Sequence, residues 1–107
     1  MKNLGNLMKQ AQAMQQKMAD AQARLEEMEV EGQSGGGMVK ATLTGKGRLR
    51  RIAIDKSLCD PAEVDVLEDL ILAAVNDAQT KAETAMQEAM ASATAGLPLP
   101  PGMKLPF

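Results

Sequence analysis

Residues 38–55 read Met38-Val39-Lys40-Ala41-Thr42-Leu43-Thr44-Gly45-Lys46-Gly47-Arg48-Leu49-Arg50-Arg51-Ile52-Ala53-Ile54-Asp55, and the period of this stretch decides the fold. From Met38 to Thr44 apolar and polar residues alternate, which places Val39, Ala41 and Leu43 on one face of an extended strand. Gly45-Lys46-Gly47 supplies a turn, and Arg48 to Asp55 continues as a second strand with Ile52 and Ile54 inward. Upstream stands Gly35-Gly36-Gly37. A glycine run can cradle phosphate, but that use needs a helix directly after it, and here a strand follows. The run therefore predicts a hairpin turn or bulge, with Val30 in a short strand before it. The centre of the chain is a three-stranded antiparallel meander.

Helical patterns flank it on both sides. Leu4, Leu7, Ala11, Met14, Met18, Ala21, Leu25 and Met28 recur at alternating intervals of three and four, a heptad stripe on an otherwise polar segment. A helix of about 25 residues spans roughly 40 Å, more than a small domain needs. The part near Leu25 suits packing on the sheet, and the Met- and Ala-rich seam as a whole suits a helix of a second copy. Asp60-Pro61-Ala62-Glu63 has the form of a helix start, with an N-cap Asp, Pro at the first position and Glu three residues after the cap. Leu70 to Val75 is then apolar all round, which needs cover from two directions, and one small sheet covers only one. The stripe thins beyond Ala78, so this half projects or meets a partner helix. Gly96 ends the helix. The fold class is thus α+β: helix, three-stranded antiparallel sheet, long helix (α-β-β-β-α). One domain at 1–96 precedes a Pro-rich tail at 97–107. Leu67, Leu70, Ile71, Ala74, Val75 and Ala78, with Leu7 and Met14, are candidate dimer-interface residues.

Composition removes most chemistry. The 107 residues include no His and one Cys, Cys59, which excludes zinc spacings, His-based nucleophile pairs and a disulfide within one chain. Glu26-Glu27 and Glu68-Asp69 are adjacent on helices and do not face each other. No enzyme, metal or cofactor is expected. Hydrophobic residues make up 45% of the chain, yet Phe107 is the sole aromatic, so the core is thin and oligomerisation is the remedy. No stretch resembles a signal peptide or a membrane span, and the expected location is the cytoplasm.

The net charge of −2 conceals a division. Between residues 40 and 56, Lys40, Lys46, Arg48, Arg50, Arg51 and Lys56 face Asp55 alone, giving +5, while the remainder carries −7. Such a hairpin suits a polyanion, whose phosphates it neutralises with little regard to sequence. It equally suits a solvated strand whose charges discourage edge pairing. Lys2, Lys9 and Lys17 form a second, weaker cationic line that could flank the same surface. Without aromatics to stack on bases, duplex DNA is the expected ligand rather than single strands or looped RNA.

In order along the chain, Leu7-Met8-Lys9-Gln10-Ala11-Gln12, Val30-Glu31-Gly32, Gly36-Gly37-Met38-Val39-Lys40, Ile54-Asp55, Leu67-Glu68-Asp69-Leu70, Ala73-Ala74-Val75-Asn76-Asp77-Ala78 and the tail from Leu97 to Phe107 resemble the YbaB/EbfC family of bacterial nucleoid-associated proteins. The resemblance implies an intertwined homodimer with projecting helical arms. It also implies binding to double-stranded DNA with little or modest sequence preference, altered DNA conformation, nucleoid organisation and effects on gene expression. The family motifs do not name the DNA contacts, so these come from charge: Arg48, Arg50 and Arg51, supported by Lys40, Lys46, Lys9 and Lys2. On a regular strand Arg48 and Arg50 share a face and Arg51 points away, unless a bulge intervenes. A non-enzymatic protein-protein adaptor using the helical arms and the Pro-rich tail is the second reading. Replication or recombination proteins as further partners stay open.

Overall fold

The computed structural model describes residues 2–94, of which Lys2 and Thr94 by their backbone alone. The helix stop at Gly96 and the tail at 97–107 lie outside the described residues. The elements are α1 (Lys2–Glu27), β1 (Glu29–Ser34), β2 (Val39–Thr44), β3 (Leu49–Ile54) and α2 (Val64–Thr94), in the α-β-β-β-α order that the periodicity predicts. The strands form one antiparallel sheet in the order β1-β2-β3.

The two hairpins are made differently. Gly35, Gly36 and Gly37 all have positive φ, at 59°, 67° and 96°, so the glycine run is a turn that side chains would strain. The second turn is tied to one hydroxyl: Thr44 Oγ1 accepts from the backbone N–H groups of Lys46 and Arg48, both at 3.2 Å. Just beyond it the register slips. Thr42 pairs with Arg51 and Leu43 with Leu49, which leaves Arg50 as the extra residue of a bulge.

Val39, Ala41 and Leu43 are the buried face of β2, and they pack with Ala74, Ala78 and Leu58. Removing a Val or Leu side chain from water contributes about 1.5–3 kcal/mol, so β2 anchors the sheet to α2. The start of α2 follows the expected cap. Asp60 Oδ1 accepts from the Ala62 N–H at 3.0 Å, Pro61–Glu63 forms a single tight turn, and the helix proper begins at Val64. Its first half lies across β1 and β2, and its second half leaves the sheet.

That second half meets α1. Ala21 and Leu25 are buried with Met90 and Ala93, and Met18, Ala85 and Ala89 pack around them. Here the sequence expectation needs correcting. The Leu25 end of the seam packs on α2 of the same chain rather than on the sheet, and no second copy is required there. The small alanines at 85, 89 and 93 leave a cavity of about 480 Å³ between the two helices, lined also by Ala21, Leu25 and Met28. Further along the arm, Leu4, Leu7 and Met8 remain exposed and Met14 half-buried.

Ala74 and Ala78 are wholly buried within the chain, beneath β1 and β2, where they belong to the intramolecular core. Leu67, Leu70, Ile71 and Val75 ring that core and are only partly covered. The radius of gyration is 19.8 Å. A compact chain of this length would have roughly 13 Å, so much of this one extends away from its core.

Candidate nucleic-acid interface

The outer face of the sheet is built from β1, β2 and β3 side chains that point away from α2. On β2 it carries Lys40, Thr42 and Thr44, and the two threonines are short enough for longer side chains to reach across them. Glu29 on β1 does so. Its carboxylate accepts from Arg51 through both oxygens, at 2.8 and 3.3 Å, and lies 3.6 Å from an Arg50 nitrogen. The bulge at Arg50 thus brings Arg50 and Arg51 to one carboxylate, in place of the opposite directions that a regular strand imposes.

Of the remaining cations of the hairpin, Lys46 and Lys40 are partnered in a similar way. Lys46 donates to Glu26 at 2.9 Å, and this bond, with the ammonium charge, holds the Glu26 carboxyl below its usual pKa. Lys40 stands 4.0 Å from Glu31. Arg50 also donates to the backbone carbonyl of Glu26 at 2.9 Å, where α1 ends and its dipole is negative. Arg48 and Lys56 make no ion pair among the described residues, and Arg48 lines a groove of about 490 Å³ with Glu26, Thr44, Lys46 and Arg50.

The charge division along the chain is therefore softened in space. Glu26, Glu29 and Glu31 belong by sequence to the acidic remainder, but the α1–β1 junction carries them onto the basic hairpin. The five cations Lys40, Lys46, Arg48, Arg50 and Arg51 remain in excess. Lys9 is not part of this surface. It is exposed on α1, and at 1.5 Å per residue lies about 26 Å from Glu26 along the helix. Lys2 is farther out, and its side chain is outside what is described. The length of α1 separates both from the hairpin of the same chain.

Sequence reasoning missed the three glutamates. Antiparallel register was the available signal, since pairing Gln33 with Lys40 puts Glu31 opposite Thr42 and next to Lys40. It also assigned Asp77 no specific contact. Asp77 Oδ2 accepts from the Gln33 N–H and from Lys81, both at 3.1 Å, and these bonds lower its pKa, the Gln33 amide most. Lys81 in turn donates to the Glu31 carbonyl at 3.0 Å. Among the described residues no cluster of His, Cys, Asp or Glu could hold a metal ion, and no helix is long and apolar enough to cross a membrane.

The sequence profile of the YbaB/EbfC DNA-binding family matches residues 1–97. The chain belongs to the YbaB/EbfC DNA-binding family. Its YbaB/EbfC relatives are similar along their whole length. A nucleoid-associated protein of Paramagnetospirillum magneticum is 66% identical over 107 residues, all of both chains. Nucleoid-associated proteins of Granulibacter bethesdensis and Methylocella silvestris are 61% and 59% identical, again over all of each chain. The crystal structure of an uncharacterized Helicobacter pylori protein matches with a TM-score of 0.67 at 24% identity, over 82% of this chain and 89% of that one. That likeness supports the helix, three-stranded sheet and long helix as a shared fold.

Proposed function

We propose that this protein is a nucleoid-associated homodimer that binds double-stranded DNA with little or modest sequence preference. By neutralising phosphates it alters DNA conformation, and through that it influences nucleoid organisation and gene expression. It acts in the cytoplasm, at the nucleoid, as a binding protein without an enzymatic step. The observation that carries this reading is the set of cations along the sheet's outer face, with Arg48, Arg50, Arg51 and Lys46 toward the second turn and Lys40 at the other end of β2. Relatives named as nucleoid-associated over their full length support the location.

The homodimer has separate support. Partly covered Leu67, Leu70, Ile71 and Val75 lie beside Ile52 and Ile54 of β3, and the apolar end of the α1 arm is exposed. A second copy would cover the first group, leave the hairpins outward and double their charge.

The test is a titration of duplex DNA at several salt concentrations. With about five phosphates neutralised per protomer, log affinity falls against log salt with a slope of roughly −4 to −5 per protomer. Reversing Arg48, Arg50 and Arg51 to Glu abolishes binding. Unchanged affinity in that variant rejects the hairpin as the interface. Absence of any complex at low salt, together with a stoichiometric protein partner, favours the adaptor reading instead.

A further inference from the structure

We infer that Glu29 is a built-in competitor for the DNA phosphate, occupying a seat that Arg50 and Arg51 present to a phosphodiester anion. This rests on the hairpin being the DNA interface, and it adds the residue that sets how tightly that interface holds.

Two guanidinium groups converge on one carboxylate. Arg51 engages it through both oxygens at 2.8 and 3.3 Å, and Arg50 stands 3.6 Å away. The planar fork of a guanidinium matches carboxylate and phosphate oxygens alike, so the arrangement that holds Glu29 also suits phosphate. The arginines are more exposed than the acid they hold, with side chains 46% and 63% accessible against 36% for Glu29. An incoming anion can thus reach the guanidiniums from solvent. Thr42 and Thr44 are buried although they lie on the outer face, so longer side chains of that face cover them. Glu26 plays a lesser part of the same kind on Lys46.

Exchange of carboxylate for phosphate costs little, because exposed ion pairs contribute only about 0.2–1 kcal/mol. The seat is preorganised, and its occupant is easily displaced. Arg48, with no ion pair among the described residues, is the cation available for the first encounter, while Arg50 and Arg51 join as Glu29 is released. Binding is consequently weaker and more readily reversed than the number of cations alone would make it.

The experiment is a fluorescence titration of mixed-sequence duplex DNA with the full chain at low salt. Glu29→Gln keeps the size and removes the charge, and it should tighten binding about fivefold per protomer, the value of a good exposed ion pair. Glu63→Gln removes the same charge from the turn before α2, and its effect should be clearly smaller. In an Arg50→Ala/Arg51→Ala background the Glu29→Gln gain should disappear. A second measurement needs no variant: the Arg51 guanidinium NMR signal of the unaltered chain should move as duplex is added.

Equal gains from Glu29→Gln and Glu63→Gln reduce the effect to net charge and overturn the proposal, as does a gain that survives loss of both arginines. An unmoved Arg51 signal during saturable binding overturns it too. If Glu29→Gln changes nothing while the triple reversal abolishes binding, the competitor is rejected and the interface stands. If the triple reversal also changes nothing, both fall.

Discussion

A Cβ placed on Gly32 of β1 would sit 2.2 Å from the backbone nitrogen of Ala78 in α2 and 2.4 Å from the Ala74 carbonyl oxygen. Strand and helix meet backbone to backbone at this point. Neither partner is a flexible side-chain tip, so no local adjustment can admit a methyl group. Overpacking a core costs typically 1–3 kcal/mol and more when backbone must move, so Gly32→Ala should destabilise by about 3 kcal/mol or more. The measurement is the urea midpoint. A midpoint within error of the parent would show that α2 can lift from β1 at little cost.

The same crossing carries an electrostatic latch. Asp77 accepts from the Gln33 amide and from Lys81, and its pKa is lowered by those bonds. A carboxyl whose folded pKa is depressed contributes stability that is fully present above its unfolded pKa and lost as pH falls through the folded value. The parent should therefore be more stable than Asp77→Asn at pH 7, and the two should converge only as pH falls through the lowered folded value, beneath the ordinary carboxylate range. Urea midpoints at pH 7 and along that descent check this. A difference that stays constant down to low pH would place the role of Asp77 elsewhere.

The arm depends on one side chain. Leu25 is 1% exposed and touches Gly45 in the second turn as well as the Met90 and Ala93 cluster. Gly45 also donates its N–H to the Leu25 carbonyl at 2.9 Å. Leu→Ala in a core costs about 2–5 kcal/mol, and here the loss falls on the only buried cluster that α1 shares with α2 among the described residues. Leu25→Ala should speed amide hydrogen exchange throughout α1 while the amides of β2 keep most of their protection. Equal loss in both would mean that arm and sheet unfold as one unit.

Much of this architecture was legible in the residues. Alternation from Met38 to Thr44 specified β2 and its buried face, and Asp60-Pro61 marked the helix start, because both rest on local rules of period and capping. The partner of an apolar helix face is not local. The run from Leu70 to Val75 looks the same whether its own sheet or a second copy covers it, so the residues alone do not reveal that the sheet buries Ala74. The seam of α1 was ambiguous for the same reason. The bulge at Arg50 has no glycine to announce it, and without it Arg50 and Arg51 seemed bound for opposite faces. Glu29 was hidden more deeply. Its pairing crosses a strand, and it emerges only once register and bulge are both known.

What remains uncovered makes the final prediction. Val75 is partly exposed at the edge of the buried cluster, one turn beyond Ile71, and Leu72 beside it is 62% accessible. Apolar side chains in that position add little to the core of one chain, and a second copy gains by covering them. If that face is the dimer contact, Val75→Asp places an unpaired charge in it at a cost of about 3 kcal/mol, which weakens association roughly 100-fold. Because Val75 is not fully buried in the single chain, the variant should keep the helical content of the parent. Sedimentation of the parent at micromolar concentration should give a dimer, and that of Val75→Asp a folded monomer. The variant should also bind duplex DNA with about half the salt slope, since each binding unit then carries one hairpin instead of two. A parent that sediments as a monomer removes the dimer, while a dimeric, folded Val75→Asp moves the contact to another face.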